Sequence, residues 1–555
     1  MSSNSGRSAR KRIIGMVVSS IVFLILAIGL NYLALPAWTL RDRGFWSYLT
    51  VLVFPLGVLA GFALDRKRPV GFGWLGLGIV ILLNILLSIG SSAVWPGNDD
   101  VLYEILPMEE RSWDDFAADF SGAGVIQRPG ATVLLPTIDK DLSIAVAQGK
   151  VGPYGAQYQI DTDIFSSINV IREGTQRMVR VSALDYAGFF VALAANGAPG
   201  YVEVDQSTGE GRLVETDQPL RYTPKALFRL DLRRHLRRAY RRALFGYWSF
   251  EIDEDGNPWW IVPVLEHTVG LFGGEELLGI IVVDPRSGEH TYYDHGSEPV
   301  WIDRVVPSDL VLRQANNRLG LKNGWKNRAF GARTEVFQVS DGYNYVSTVD
   351  GAWGRTWLVS GVTSPNEADQ TLVGLLMVDL KTREARRYDF GGITEMRARQ
   401  IAENDERVRA QALDATWPVP VIIEGSPAYY MMLKNNVQRQ RFVLLDVDTG
   451  NRIAMADSWE GTRAQFLDLF GAVAISDDEL TELAGTVLRV RAAGDGTQLF
   501  LLEGDPATRY RVSAELNNGA LFLAPGDPVT IRYRSSEVDE PERRVVFLRN
   551  GGIGQ

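Results

Sequence analysis

Residues 259–262 read Trp-Trp-Ile-Val, and residues 283–289 read Val-Asp-Pro-Arg-Ser-Gly-Glu. The first stretch has the pattern of an aromatic-led apolar strand, and the second is a strand that ends in Asp before a tight turn. An Asp that opens a turn accepts a hydrogen bond from the backbone two residues later, and a Gly that closes it supplies a positive φ. The two stretches therefore predict antiparallel strands joined by tight turns.

This phrase occurs in four copies, which indicates a repeated structural unit. Its aromatic-led strands are predicted at residues 189–193, 259–262, 357–359 and 429–432, with turns that open at Asp205, Asp284, Asp379 and Asp446. Gly follows Asp by four residues in three copies, whereas the third copy has Arg383 there. We assign these aspartates to turn chemistry rather than to metal binding, because no partner carboxylates recur at ligand spacing.

Helical patterns separate the strand groups. Ser308 opens one after Pro307, residues 394–415 form a longer one, and Ser476 with Glu479 makes a capping box. The aspartates lie 79, 95 and 67 residues apart, which is too irregular for propeller blades or a tight solenoid. We therefore expect tandem antiparallel α+β modules.

The last 80 residues have a different pattern. Short β runs are predicted at residues 486–490, 499–502, 510–512, 521–523, 529–533 and 544–548. Residues 525–528, Pro-Gly-Asp-Pro, form a turn between two of these runs. This spacing favours a small β-barrel, with the OB type as one possibility.

Three apolar stretches, at residues 13–35, 45–64 and 70–95, precede the repeats. Each has the roughly 20 residues that cross a hydrocarbon core about 30 Å thick. The first is too long for a signal peptide and has no small-residue cleavage site after it. We expect three transmembrane helices, and since the spans contain no ionisable residue, a transporter or channel is disfavoured.

Lys and Arg flanking the spans predict the orientation, because cytoplasmic loops carry the excess of these residues. The N-terminal tail has four of them and residues 65–69 have three, whereas only Arg41 and Arg43 lie between the first two spans. The N-terminus is therefore predicted inside a bacterial cytoplasmic membrane, with the large C-terminal body outside. If one of the two weaker segments does not span, the body is cytoplasmic instead.

The charge of the chain is divided in the same way. Residues 1–95 contain nine Lys and Arg against two Asp and Glu, and the rest contains 48 against 65. An acidic body does not suit nucleic acid, whose phosphates require a positive surface. The chain has no Cys, which excludes disulfides and thiolate chemistry.

Known catalytic and metal motifs are missing from the sequence. The four histidines, His235, His267, His290 and His295, do not form a zinc-binding pair, and there is no nucleophile elbow or phosphate loop. Residues 253–257, Asp-Glu-Asp-Gly-Asn, resemble half of a calcium loop but lack its later Glu, which favours a hairpin turn. We expect no catalytic residue, cofactor or metal.

One segment of the acidic body is strongly basic. Within residues 229–242 seven arginines recur at helical spacing, and Leu232, Leu236, Tyr240 and Ala243 form the opposite stripe. The candidate contacts for an anionic surface are Arg233, Arg234, Arg237, Arg238, Arg241 and Arg242. The alternative is that these arginines pair with carboxylates of the body or are solvated. An anionic partner would be lipid headgroups or a wall polymer.

Residues 250–260, 268–274, 299–305 and 341–345 resemble an uncharacterised family of bacterial membrane-anchored proteins with a multi-span N-terminus and a large outer body. The resemblance runs from about residue 125 to the end of the chain. The strand-turn modules are also loosely similar to PepSY-type α+β units. The resemblance implies the topology and gives no activity, so no functional residue is carried over.

These patterns predict an α+β protein with an anchor at residues 1–95, a linker at 96–125, a repeated body at 126–475 and a barrel at 476–555. The predicted function is a membrane-tethered, non-enzymatic protein that binds or scaffolds a component of the cell envelope. The expected partners are the membrane and an envelope protein or anionic polymer. The alternatives are an envelope hydrolase that uses paired carboxylates, and a cytoplasmic partner-binding protein if the topology is inverted.

Overall fold

The computed structural model describes residues 2–64, 68–120, 123–124, 133–172, 174–349, 354–366, 371–423, 425–435, 438–470, 480–492, 497–513, 523–534, 538 and 540–551. The chain divides into two compact units. The first contains Met1–Glu395 and Asn436–Arg439, and the second contains Met396–Asn435 and Gln440–Gln555.

The described helices are α1 (Ser2–Ala34), α2 (Arg43–Ala63), α3 (Pro69–Gly90), α4 (Asn98–Glu104), α5 (Trp113–Phe120), α6 (Lys140–Lys150), α7 (Phe189–Ala194), α8 (Leu232–Ala239), α9 (Ser308–Gly320), α10 (Gly324–Ala329), α11 (Glu395–Asn404) and α12 (Trp459–Phe470). Short 3-10 turns lie at Gly152–Tyr154 and Arg409–Gln411.

The described strands of the first unit are β1 (Met108–Arg111), β2 (Ala123–Gly124), β3 (Val133–Leu134), β4 (Tyr158–Ile160), β5 (Ser166–Arg172), β6 (Thr175–Tyr186), β7 (Ala198–Asp205), β8 (Gly211–Leu220), β9 (Leu244–Phe245), β10 (Ser249–Ile252), β11 (Pro258–Val269), β12 (Gly273–Val283), β13 (His290–Asp294), β14 (Gln338–Val339), β15 (Asn344–Thr348), β16 (Arg355–Thr363), β17 (Thr371–Asp379), β18 (Ala385–Tyr388) and β19 (Gly392–Ile393). Those of the second unit are β20 (Asp414–Ala415), β21 (Val419–Ile423), β22 (Ser426–Lys434), β23 (Arg439–Asp446), β24 (Ile453–Ala456), β25 (Leu480–Ala492), β26 (Thr497–Leu502), β27 (Asp505–Ser513), β28 (Pro528–Arg534) and β29 (Glu542–Asn550).

Helices α1 to α3 form the anchor. Their segments Arg10–Ala34, Arg43–Ala63 and Pro69–Gly90 are long and apolar enough to cross a membrane, which confirms the predicted three-helix N-terminal bundle. The third helix ends at Gly90, before the predicted residue 95. Asn98 Nδ2 donates to the Gly90 carbonyl at 3.0 Å and satisfies this helix end.

Four modules share one plan, in which a helix precedes four antiparallel strands. The helices are α6, α8, α9 and α11, and the strand groups are β5–β8, β10–β13, β15–β18 and β21–β24. The predicted α+β class with tandem antiparallel modules is therefore confirmed. The third group belongs to a nine-stranded sheet, in which β1 pairs with β18 in parallel, so the segment predicted as a linker supplies a strand.

The four turns have the predicted chemistry. The carboxylates of Asp205, Asp284, Asp379 and Asp446 accept hydrogen bonds from the amide two residues later, at 2.8, 2.8, 2.7 and 3.3 Å. The residue that closes each turn has a positive φ, of 79°, 79°, 64° and 67°. Arg383 thus adopts the left-handed conformation that glycine supplies in the other three turns.

Two element predictions were wrong. Residues 189–193 were predicted as a strand but belong to helix α7. This helix forms the connection between strands β6 and β7, and its Phe190 side chain is 81% exposed. The helix predicted over residues 394–415 ends at Asn404, since the Asp405 carboxylate accepts from the Arg407 amide at 3.0 Å and begins a turn. The predicted capping box at Ser476 and Glu479 lies outside the described residues.

The middle sheet of the first unit, β9–β13, is buried on both faces. Trp260, Val262 and Ile281 pack into the core that contains the β4–β8 sheet. Alternating residues such as Ile261 and Val282 pack into the core that contains β15–β18. Since successive residues of a strand point to opposite faces, this one sheet joins the first and third modules.

In the second unit, strands β25–β29 close a five-stranded barrel in the order β25-β26-β27-β29-β28, which confirms the predicted C-terminal barrel. Strand β25 pairs with both β26 and β28, and β27 pairs with β29 in parallel. The predicted run at 521–523 lies mostly outside the described residues. The OB type stays a prediction.

Candidate functional site

The arginine-rich helix α8 is shorter than the predicted segment 229–242. Asp231 caps its start, because the Asp231 carboxylate accepts a 2.6 Å hydrogen bond from the Arg234 amide. The helix ends at Ala239. Leu232 and Leu236 beneath it are fully buried, so the predicted apolar stripe fixes the helix on the body and the direction of its arginines.

Arg234 contacts the anchor. Its Nη1 donates to the Tyr32 carbonyl at 2.6 Å, and its guanidinium carbon lies 3.8 Å from the centre of the Tyr32 ring. This geometry combines a charge-assisted hydrogen bond with a cation–π contact. It attaches α8 to the last turns of α1.

Arg237 is buried, with 8% of its surface exposed. It lies 4.3 Å from the centre of the Phe245 ring and donates to the carbonyls of Tyr240 and Ala243, at 3.1 and 2.7 Å. Burial, with a further contribution from Arg233, lowers the pKa of Arg237 to about 10. It therefore remains charged at neutral pH and closes the end of the helix.

The other four candidate residues, Arg233, Arg238, Arg241 and Arg242, are exposed. None of the six candidate guanidinium groups forms an ion pair with a carboxylate among the residues that the structure describes. The nearby Asp42 carboxylate is engaged by the amides of Ala37 and Gly44, at 2.6 and 2.9 Å. Within the described part of the chain, pairing with carboxylates of the body therefore does not account for this positive surface.

Five of the arginines line a cavity of about 760 Å³ between α8 and the end of α1, which we call the arginine groove. Its cationic wall consists of Arg234, Arg237, Arg238, Arg241 and Arg242. Its opposite wall, mostly apolar, consists of Ile28, Asn31, Tyr32, Leu35 and Trp38. The candidate Arg233 does not line the groove, and neither does Arg229, so the structure separates these two arginines from the other five of the segment.

The groove lies where the anchor meets the body. The Trp38 amide donates to the Arg241 carbonyl at 2.8 Å. Ser91 Oγ, just after α3, accepts from the amides of Leu271 and Phe272 at 3.0 and 3.1 Å. The ends of α1 and α3 are thus both fixed to the body.

Helix α2 contacts the same region from its N-terminal end. The Trp46 and Phe272 rings meet edge to face with centroids 6.5 Å apart, and the Arg43 guanidinium carbon lies 5.1 Å from the Phe272 ring centre. All three membrane helices therefore contact the body at one end of the bundle. This end carries the α1–α2 loop, and the other end carries the basic N-terminus.

The composition of the groove defines the ligand chemistry that it suits. Guanidinium groups bind phosphate and carboxylate through paired N–H donors, and unpaired cations in a concave site concentrate anions. The facing α1 surface includes Ile28, which is 69% exposed. A ligand with an anionic head and an apolar chain matches both walls.

The buried carboxylates of Glu251 and Asp303 are the pair to consider for a hydrolase that uses paired carboxylates. Burial raises the pKa of Glu251 to about 7, and burial also raises the pKa of Asp303. However, the Glu251 carboxylate accepts from the amides of Asp303 and Arg304, at 2.9 and 3.0 Å. Asp303 likewise accepts hydrogen bonds from Asn169 and Thr356. Each of the four carboxylate oxygens therefore accepts at least one hydrogen bond from the chain, and these bonds join the first three modules.

Residues 253–257, which resemble half of a calcium loop in sequence, form a structural turn. The Asp253 carboxylate accepts from the amides of Asp255 and Asn257, at 3.0 and 2.8 Å, and Gly256 has a φ of 83°. Residues 253–257 therefore form the predicted hairpin turn between β10 and β11. Among the described residues no group of three or more His, Asp and Glu side chains is placed to hold a metal.

Sequence reasoning missed the α1 wall of the groove. The candidate contacts predicted from the sequence include none of Asn31, Tyr32 and Trp38. The signal was the polar pair Asn31-Tyr32 near the end of an apolar span. Its pairing with Arg234, about 200 residues later, is a tertiary contact.

No family model and no curated protein matches this chain. The functional proposal therefore rests on the site itself.

Proposed function

We propose that this protein is a membrane-tethered, extracytoplasmic binding protein of the bacterial cell envelope, and that its arginine groove binds the headgroup of an anionic lipid. The observation that carries this proposal is the composition of the groove. Five guanidinium groups without carboxylate partners in the described chain face the exposed, apolar end of a membrane helix.

The outward orientation is supported by the charges at the two ends of the anchor. Arg10, Lys11 and Arg12 lie near the start of α1, and Arg68 immediately precedes α3, at the end of the bundle away from the body. Cytoplasmic ends of spans carry this excess of positive charge. The resemblance to a family of anchored proteins with a large outer body implies the same orientation.

The apolar wall favours a lipid over a soluble anionic polymer. Leu35 and Trp38 follow directly on the first span and line the groove with Ile28. The acyl chain of a bilayer lipid can lie along α1 while its phosphate reaches the arginines. A wall polymer, which has no acyl chain, would leave this wall uncovered.

Ligand titration with the full-length protein tests this proposal. The protein, purified in a detergent with an uncharged headgroup, is titrated by calorimetry with dihexanoyl phosphatidylglycerol, dihexanoyl phosphatidylcholine or inorganic phosphate. We expect saturable binding of phosphatidylglycerol and much weaker binding of the other two. The triple substitution Arg238→Gln, Arg241→Gln, Arg242→Gln should weaken phosphatidylglycerol binding at least tenfold, which is about 1.4 kcal/mol.

The matched control is Arg229→Gln with Arg233→Gln. These arginines are also exposed but do not line the groove, so the double variant should bind as tightly as the unsubstituted protein. Equal weakening by both variants would indicate attraction by net charge alone and would contradict a specific groove. Equal affinity for phosphate and phosphatidylglycerol would show that the acyl chain contributes nothing and would rule out the lipid.

A further inference from the structure

A second cavity, of about 780 Å³, lies on the middle module of the body. Its size is within the range of about 300–1,000 Å³ that is typical of small-molecule sites. Its lining includes Trp259, Glu289, Thr291, Tyr293 and Trp301. We call it the tryptophan pocket.

Two indole rings form one wall of this pocket. The ring centroids of Trp259 and Trp301 lie 5.9 Å apart and their planes are inclined by 37°. Trp259 Nε1 donates to an Asp253 carboxylate oxygen at 2.9 Å, which fixes the ring. Asp253 is itself held by the hairpin turn 253–257, so this aromatic surface is preorganised.

Hydrogen-bonding groups line the pocket beside this wall. Thr291 and Tyr293 occupy alternate positions on β13 and pair with Val282 and Ile280, so their side chains share one face of the sheet. Glu289 immediately precedes that strand. The side chains of Glu289, Thr291 and Tyr293 have no hydrogen-bond partner among the described residues.

We propose that the tryptophan pocket binds a saccharide unit of an envelope glycan. A pyranose has apolar C–H faces that stack on indole rings, and its rim of hydroxyl groups requires both donors and acceptors. The pocket provides the aromatic wall together with the Glu289 carboxylate and the Thr291 and Tyr293 hydroxyl groups, which have no hydrogen-bond partner among the described residues. This combination matches a neutral or cationic sugar, because an acidic sugar would be repelled by Glu289.

The geometry of the two indoles favours a sugar over a quaternary ammonium ion. A cationic ligand is bound where aromatic rings surround it as a cage. Rings with centroids 5.9 Å apart at 37° are neighbours in one continuous surface and leave no room for a ligand between them. Such a surface suits stacking against the C–H face of one pyranose. This site does not depend on the arginine groove, although its assignment to an envelope glycan rests on the proposed outward orientation of the body.

The test uses full-length protein in nanodiscs of phosphatidylethanolamine and phosphatidylglycerol. Nanodiscs avoid maltoside detergents, whose sugar headgroups would compete, and these lipids contain no choline. The protein is screened on an array of hexose, N-acetylhexosamine and uronic-acid glycans, and the tightest soluble glycan is measured by calorimetry. Tetramethylammonium chloride is titrated in parallel.

We expect saturable binding of at least one neutral or amino-sugar glycan. Trp301→Ala should weaken it at least tenfold, Trp301→Phe should retain most of it because an aromatic face remains, and Glu289→Gln should weaken it severalfold. The triple arginine variant should bind the glycan normally, which separates this site from the groove. Binding of no glycan, unchanged affinity in both Trp301→Ala and Glu289→Gln, or binding of tetramethylammonium in preference to every glycan would overturn the proposal.

Discussion

Arg383 shows how strongly the turn chemistry constrains a single position. Its φ of 64° lies in the left-handed region, where a residue with a Cβ is disfavoured by about 1–2 kcal/mol relative to glycine. Its ion pair with Glu276, at 3.6 Å, is partly exposed and contributes little. The backbone of the third turn is therefore strained at this residue.

Replacing Arg383 by Gly should stabilise the protein by about 1 kcal/mol, measured as the free energy of unfolding in urea. The reciprocal control is Gly209→Ala, since Gly209 has a φ of 79° and the added Cβ would meet only an ordinary contact with Ile138. That variant should lose about the same amount. A destabilised Arg383→Gly protein would contradict the strain.

Glu251 is expected to make the free energy of unfolding depend on pH. Burial raises its pKa from 4.5 to about 7, so the folded state binds the proton more tightly than the unfolded state does. Stability then falls as the pH rises from about 4.5 to about 7, by on the order of 3 kcal/mol for this group. Asp303, whose pKa burial also raises, contributes with the same sign.

The expected result is a midpoint of thermal unfolding that decreases across this window. Glu251→Gln should flatten the decrease, because the titrating group is gone, even though its baseline stability is lower. Glu254→Gln is the control, since Glu254 is exposed, and it should leave the slope unchanged. If Glu251→Gln keeps the full slope, Glu251 does not control the pH dependence.

At the scale of elements, α8 combines arginines that hold the structure with arginines available to a ligand. Arg237→Ala removes two hydrogen bonds to carbonyls and a stacking contact, and should destabilise the protein by about 2 kcal/mol. Arg238→Ala changes an exposed side chain and should alter stability by less than about 0.5 kcal/mol.

A binding measurement shows whether Arg238 serves the ligand rather than the fold. Arg238→Ala should weaken phosphatidylglycerol binding in calorimetry while the urea unfolding curve stays unchanged. Normal binding with lowered stability in Arg238→Ala would reverse these roles and contradict the assignment.

Elements that depend on local chemistry could be predicted from the sequence. The four Asp turns, the helix at Ser308 and the presence of a small C-terminal barrel follow from side-chain-to-backbone bonds and from periodicity. Residues 189–193 could not be assigned correctly, because a short apolar run is compatible with either a strand or a helix. There the position between two long strands decided the outcome.

The candidate site was only partly predictable for the same reason. Spacing alone indicated an amphipathic helix with arginines on one side. It could not distinguish the buried Arg237 from the exposed Arg238, because that depends on Phe245 and the following loop. Likewise, the contact between Arg234 and Tyr32 joins residues 202 positions apart, and periodicity carries no information at that distance.

For the first unit as a whole, the body and the anchor are packed closely together. A Cβ on Gly273 would lie 2.0 Å from the Ser91 carbonyl oxygen, so no other residue fits this contact without displacement. Gly273→Ala should therefore loosen the junction and increase hydrogen exchange at the amides of Leu271 and Phe272.

Gly149→Ala is the control for that measurement, because a Cβ there meets nothing within 4 Å. It should leave exchange at the junction unchanged. If the Leu271 and Phe272 amides stay protected from exchange in Gly273→Ala, the junction tolerates the added side chain. The close contact at Gly273 would then not be needed to hold the anchor on the body.

We propose that the large body lies outside the membrane while the N-terminus lies inside, and this orientation can be tested directly. Since the chain has no Cys, single cysteines introduced on each side can be labelled without background. Gln218, exposed on the body, and Ser8, in the N-terminal segment, are suitable positions.

Labelling of intact cells with a membrane-impermeant maleimide is the most direct measurement. We predict that Gln218→Cys reacts in intact cells, whereas Ser8→Cys reacts only after the membrane has been opened. The opposite pattern, with Ser8→Cys labelled in intact cells and Gln218→Cys protected, would place the body in the cytoplasm and contradict the account.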